Sequence, residues 1–145
     1  MIGSMGLASA IGFGLALTRD RTVVVFDGDG NLLMNLGILA MVGASRPRNF
    51  VHFVFDNGVY GSTGNQRSLS QEVRLDRLAE VAGYRQSFFV SDARELREAA
   101  RRALKEDGPS FVLVKVTAAE TPVPRIPYPP EEIRDRFLKA VKSEA

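Results

Sequence analysis

The 145-residue sequence has no cysteine and a single histidine, His52. Without cysteine there are no disulfides, no thiolate ligands for an iron–sulfur cluster and no thiol nucleophile. With one histidine, zinc sites and a Ser-His-Asp relay have little to work with. Excess charge is scarce too, since 19 Lys and Arg against 17 Asp and Glu leave a net charge of only +2. Most arginines fall on expected helices, interleaved with Glu and Asp rather than clustered on one face with aromatics. That pattern argues against nucleic-acid binding. A membrane-length apolar run is also missing. Residues Ile2 to Leu17 are nearly all apolar or small, but a span needs about twenty such residues. No basic residue precedes the run before Arg19, as a signal peptide would require. The stretch reads as a buried small-residue helix, and the protein as cytoplasmic.

What is present is an ordinary globular composition, long enough for one domain with a real core. A loop at Gly3-Ser4-Met5-Gly6 feeds a helix expected over about Met5 to Thr18. Thr22 to Phe26 and Phe50 to Phe55 are β-branched or aromatic runs, typical of strands covered on both faces. Between them Asn31 is expected to cap a helix reaching about Ala44, stopped by Arg46-Pro47-Arg48. After a polar loop from Gly58 to Ser70 come a helix over Leu75 to Ala82 and a short strand over Ser87 to Val90. Ser91 or Asp92 then caps a helix to about Lys105, and Phe111 to Val116 is a last strand. Strands alternating with helices predict a three-layer α/β/α domain with a mostly parallel sheet and right-handed crossovers. Thr121 to Pro130 holds five of the seven prolines and reads as an extended connector. It leads to a helix over about Glu131 to Ser143, where Ile133, Phe137 and Val141 form a stripe. Residues 1–120 are thus expected to form the main domain. Residues 121–145 form a connector and a helix that packs on that domain or on a partner.

Two polar tips follow the first two strands, Asp27-Gly28-Asp29-Gly30-Asn31 and Asp56-Asn57-Gly58. In an open parallel sheet, ligands bind at such carboxyl ends. A calcium-binding EF-hand would need glycine and glutamate where Leu32 and Ile38 stand, after a helix rather than a strand. A dinucleotide fingerprint would need glycine where Leu33 stands, and a phosphate-loop lysine is missing. A ligand-free turn is the plain alternative. Asn57, however, lies 28 positions beyond Asp29, the length of one strand-to-strand crossover. A magnesium ion takes octahedral oxygen ligands. The Asp29 carboxylate, the Asn57 amide oxygen and a backbone carbonyl would leave room for phosphate oxygens and a water. Gly30 and Gly58 allow close backbone approach to a phosphate, and Asn31 sits at a helix start that favours anions.

These residues resemble the signature of the diphosphate-binding domain of thiamine-diphosphate-dependent enzymes: Gly-Asp-Gly, a gap of mid-twenties length, then Asn-Asn or Asp-Asn. Gly28-Asp29-Gly30 and Asp56-Asn57 match it. The resemblance implies that the side chains of Asp29 and Asn57 and the carbonyl of Val59 ligate magnesium. It implies that Gly30, Asn31, Tyr60, Gly61 and Ser62 hold the diphosphate. Gly3-Ser4-Met5-Gly6 is similar to the family loop, often Gly-Ser-Ile-Gly, that meets the aminopyrimidine ring. There the Gly3 carbonyl would accept from the amino group, while Met5 would donate its N–H and support the bent cofactor. Within the family the sequence is most similar to the β subunits of sulfopyruvate decarboxylase and the carboxyl-terminal half of phosphonopyruvate decarboxylase. The pieces are Ser4 to Ser9, Asp56 to Gly64 and Pro124 to Pro127.

The expected function is therefore that of a β subunit of a thiamine-diphosphate- and magnesium-dependent decarboxylase of sulfopyruvate or phosphonopyruvate. An acetolactate-synthase-like or 2-oxoacid oxidoreductase half, or a non-catalytic scaffold module, are the alternatives. Two departures qualify the resemblance. The chain opens on the cofactor loop, where such subunits usually carry a preceding helix and strand: either the start is displaced or a segment has been lost, which would expose a sheet edge. It also has no pyrimidine-binding domain, which in this family supplies the glutamate that activates the ring. No catalytic residue is assigned on this chain. A pyrimidine-binding partner subunit, in a hetero-oligomer or around a homodimer core, is expected to supply it. His52 reads as a hydrogen-bonded core residue. Ser62 and Thr63 are candidates to face the substrate, and Lys115 and Arg67 to attract its sulfonate or phosphonate.

Overall fold

Chain order places a helix before or after almost every apolar run, and the runs assemble as one parallel sheet. The computed structural model describes residues 4–119, 124 and 126–143. Its elements are α1 (Ala8–Thr18), β1 (Val23–Gly28), α2 (Asp29–Leu33), α3 (Gly37–Ser45), β2 (Phe50–Asp56), β3 (Val59–Tyr60) and β4 (Gln66–Arg67). A 3-10 turn at Leu69–Gln71 precedes α4 (Leu75–Ala82), β5 (Gln86–Val90), α5 (Ala93–Lys105), β6 (Ser110–Lys115) and α6 (Pro130–Lys142). The main sheet has the order β1-β2-β6-β5 and is parallel throughout. β3 and β4 form a separate antiparallel hairpin.

Side chains alternate across the sheet, as the two-residue period of a strand requires. Val25, Phe50, Val54, Phe111 and Leu113 face the core formed with α1, α3 and α4. Val51, Phe53, Val112 and Val114 face Ala99 and Ala103 of α5 on the other side. The expected three-layer architecture is the observed one. α5 is held at its start by Asp92, whose carboxylate accepts the N–H groups of Arg94 and Glu95, both at 2.8 Å. These bonds hold its carboxyl below the usual carboxylate range, chiefly through the Glu95 N–H.

Among the described residues no strand lies beyond β1, so its outer edge is open. Phe26 on this strand is 68% exposed, although its ring packs against Phe53 and Phe55 at 5.6 and 6.0 Å. Phe137 and Val141 of α6 line a groove of about 820 Å³ together with α1 and β1. Among the described residues of α6 none is buried. Part of the proline-rich connector lies outside the described residues. No helix of the described chain is long and apolar enough to cross a membrane.

Five local expectations are corrected. α1 starts at Ala8 rather than Met5, because Met5 and Gly6 form a turn with Gly6 at φ +93°. β1 runs on to Gly28, so Asp27 is a strand residue. The single helix expected from Asn31 to Ala44 is two helices, parted at Met34–Leu36. Asn31 is not its cap: helix α2 begins at Asp29 directly off the strand, and the Asn31 amide is engaged elsewhere. The polar loop after β2 contains the β3–β4 hairpin and the 3-10 turn.

Candidate cofactor site

β1 and β2 are neighbours in register, with Asp27 opposite Val54 and Gly28 opposite Phe55. Asp29 and Asn57 therefore emerge beyond the carboxyl ends of adjacent strands. The two tips also touch. A Cβ built on Gly30 would lie 2.6 Å from Cε1 of Tyr60, so only glycine lets the tyrosine ring lie against α2.

Asp29 is 2% exposed, and its partners are hydroxyls. Ser68 donates to Asp29 Oδ2 in a short hydrogen bond. The Ser70 hydroxyl stands 3.0 Å from the same oxygen and 2.7 Å from Asp56 Oδ1, as well as 2.8 Å from the Ser68 hydroxyl. Two hydroxyl protons cannot fill four such contacts. The cluster is short of positive charge as well. Lys115 Nζ reaches Asp56 Oδ2 at 2.7 Å, but among the described residues no cationic side chain pairs with Asp29. A buried carboxylate without a cation is costly. The site therefore fits a bound metal ion, with Oδ1 of Asp29, unpaired among the described residues, left to ligate it.

At the second tip, Asn57 Oδ1 accepts the Val59 N–H at 3.0 Å and Asp56 Oδ1 accepts the Gly58 N–H at 3.0 Å. The Asn57 carbonyl retains a second lone pair for a metal. Tyr60 caps the hairpin tip, its carbonyl accepting the N–H groups of Thr63, Gly64 and Asn65 at 3.1–3.3 Å. Gly61, Ser62 and Thr63 are exposed there, and the Thr63 hydroxyl donates to Gln66 Oε1 at 2.8 Å.

The third piece is the loop ahead of α1. Gly3 lies outside the described residues. Ser4 is half-buried and Met5 is 43% exposed. The Gly6 N–H donates to Asn31 Oδ1 at 2.6 Å, and the Gly6 carbonyl accepts from Asn35 Nδ2 at 3.0 Å. Its φ of +93° is one that side-chain-bearing residues rarely adopt. The loop is thus moored to the helix pair that follows the first tip, which brings all three segments of sequence to one end of the sheet. Asn31 Nδ2 in turn makes a short hydrogen bond to Asp27 Oδ1.

Asp56, Ser68 and Ser70 were not singled out as supports of the metal site from sequence. Loop serines carry no periodic signal; only the fold brings them 39 and 41 residues back to Asp29. Lys115 and Arg67 are not free anion binders. Lys115 is tied to Asp56, and Arg67 donates to Gln71 and Glu72 at 2.7–3.0 Å. His52 is the buried, hydrogen-bonded core residue expected.

An α/β sheet with a buried acidic tip, an asparagine tip and a moored glycine loop at its carboxyl end defines the class. Residues 1–114 match the family described as thiamine pyrophosphate enzyme, C-terminal TPP binding domain, and the chain belongs to that family. It is 42% identical over 142 residues to the sulfopyruvate decarboxylase subunit beta of Methanococcus maripaludis, covering 98% of this chain and 76% of that protein. It is 44% identical over 138 residues to the phosphonopyruvate decarboxylase of Streptomyces viridochromogenes, covering 94% of this chain but 35% of that protein. Transketolase from Campylobacter jejuni superposes with a TM-score of 0.57 over 77% of this chain and 19% of its own, at 19% identity. That likeness concerns the fold alone.

Proposed function

We propose that the chain is the cofactor-binding β subunit of a cytoplasmic thiamine-diphosphate- and magnesium-dependent 2-oxoacid decarboxylase, acting on sulfopyruvate or phosphonopyruvate. The observation that carries this reading is the buried Asp29 carboxylate, which has hydroxyl partners but, among the described residues, no cation. The names of the similar decarboxylases support the substrate class.

In this reading Asp29 and Asn57 hold the magnesium ion with their side chains, and Val59 with its carbonyl. Gly30, Asn31, Tyr60, Gly61 and Ser62 line the diphosphate end, and Gly3, Ser4 and Met5 the aminopyrimidine end. When bound, the cofactor supplies an electron sink for the pair released as the carbon–carboxylate bond breaks. The chain's own residues bind and orient. Ser68 and Ser70 aim the Asp29 carboxylate, the Asn57 carbonyl shapes the turn that presents Val59, and Tyr60 closes over Gly30. Activation of the aminopyrimidine ring falls to a glutamate of a pyrimidine-binding partner subunit, in a hetero-oligomer or around a homodimer core.

Product analysis tests the reading. The chain reconstituted with such a partner should release carbon dioxide and the matching aldehyde from sulfopyruvate or phosphonopyruvate in preference to pyruvate. Turnover of pyruvate alone would overturn the substrate assignment.

A further inference from the structure

Asp27 shares the inward parity of Val23 and Val25 on β1, and His52 that of Phe50 and Val54 on β2. Its side chain is fully buried, as is that of His52, whose Nε2 lies 3.1 Å from Asp27 Oδ2. The imidazole sits among the Phe50 and Phe111 rings, at centroid distances of 5.9 and 5.3 Å. Its other nitrogen is 3.5 Å from the Tyr84 hydroxyl. Burial first, and then the Asp27 charge, push the Tyr84 phenol well above its ordinary pKa, so it keeps its proton and donates. His52 Nδ1 then accepts, and Nε2–H donates to Asp27, a tautomer assigned from the network. The other Asp27 oxygen accepts the Gly28 N–H at 2.9 Å and the Asn31 amide. That leaves the Asn31 carbonyl facing the Gly6 N–H at 2.6 Å. Gly6 N–H can only donate and Asp27 only accept, so the Asn31 amide has one allowed orientation.

We propose that Tyr84, His52, Asp27 and Asn31 form a buried latch that fixes the Ser4–Gly6 loop, with Asp27 and His52 acting as positioning residues for the aminopyrimidine end of the cofactor. The inference rests on the reading that this loop meets the ring. Stability alone does not call for such a chain. Buried ionic or polar pairs are often replaceable by packed apolar side chains without loss, and this pair stands where leucine or valine would pack. What the polar chain adds is direction: each donor in it meets one acceptor, from the Tyr84 hydroxyl to the backbone N–H of the loop.

The test combines backbone amide exchange at Gly6, followed by NMR on the 145-residue chain, with calorimetry of thiamine diphosphate binding in magnesium. His52→Leu breaks the latch remote from the cofactor, and His52→Gln retains an N–H for Asp27. Gly6 exchange should rise about tenfold in His52→Leu, the loss of one hydrogen bond, and return towards the wild-type rate in His52→Gln. Amides of β2 and β6 should be unchanged, and cofactor affinity should fall several-fold in the same order. If His52→Leu does not fold, Asn31→Ala, at a half-buried site, should raise Gly6 exchange by a similar factor. Gly6 exchange indifferent to these variants would overturn the latch. A loosened loop with unchanged cofactor affinity would overturn the positioning role. A wild-type chain that binds no cofactor even with a pyrimidine-binding partner present, while Gly6 exchange still follows His52, supports the latch and contradicts the reading of the site.

Discussion

The Ser70 hydroxyl stands 3.0 Å from the carboxylate of Asp29, a residue 41 positions earlier in the chain. This contact joins the loop after the β3–β4 hairpin to the first residue of α2, and it aims the acidic group assigned to the metal. Supports of this kind generally cost about 10–100-fold in metal affinity when removed. Ser70→Ala is expected to weaken magnesium-dependent cofactor binding by a factor in that range while leaving the fold intact, as read by calorimetry and circular dichroism. Binding equal to wild type would mean that Asp29 is held without it.

Lys115 carries the only cationic side chain that the described residues bring to the Asp56 carboxylate, which is itself fully buried. Lys115→Met should destabilise the chain by about 1–3 kcal/mol, the cost of an underpaired buried group, read as a lowered denaturation midpoint. Adding Asp56→Asn should restore part of the loss, because it removes the charge that Lys115 balances.

Gly30 and Tyr60 are coupled by space. Gly30→Ala puts a Cβ against the tyrosine ring and should cost about 1–3 kcal/mol through overpacking. In a Tyr60→Ala background the same change should be neutral or stabilising, since alanine is favoured over glycine in a helix by roughly 0.5–1 kcal/mol. A denaturation double-mutant cycle reads the difference; additive effects would show that the ring does not lie on Gly30.

Away from the site, Asp76 accepts two hydrogen bonds from Arg74, at 2.8 and 2.7 Å. Burial opposes its charge, but the Arg74 hydrogen bond and charge, with the backbone N–H groups of Asp76 and Arg77, hold the carboxyl below its ordinary 3.8. A depressed folded-state pKa gives stability that is present above 3.8 and lost as the pH falls through the lower folded value. Asp76→Asn should therefore lower stability at neutral pH and flatten the acid limb of a plot of stability against pH. An unchanged acid limb would contradict the pairing.

The sheet was legible because β6, and β2 apart from His52, are apolar runs, and the tips because Asp27-Gly28-Asp29-Gly30 and Asp56-Asn57 stand directly after such runs. The break between α2 and α3 had no signal beyond Asn35 and Gly37. Leu32 to Ala44 is apolar around most of the helix circumference, and no proline marks the turn at which Asn35 reaches back to Gly6. Asn31 reads as a cap by residue type, yet its amide is drawn to Gly6 and Asp27, groups that only the tertiary fold brings near. Ser68 and Ser70 were illegible for the same reason. Asp27 and His52 had a signal, since both occupy inward parities of their strands, Asp27 with Val23 and Val25, His52 with Phe50 and Val54. Two polar residues at core parity on adjacent strands are best explained by each other.

All that is proposed for the site depends on Asp29 holding a metal ion which in turn holds the diphosphate of the cofactor. Titration of thiamine diphosphate into the chain, with and without magnesium and with and without a pyrimidine-binding partner, tests it most directly. Binding should be saturable, require magnesium, tighten with the partner and disappear in Asp29→Ala. Binding of equal strength in Asp29→Ala, or none in the wild-type chain even with the partner present, would contradict it.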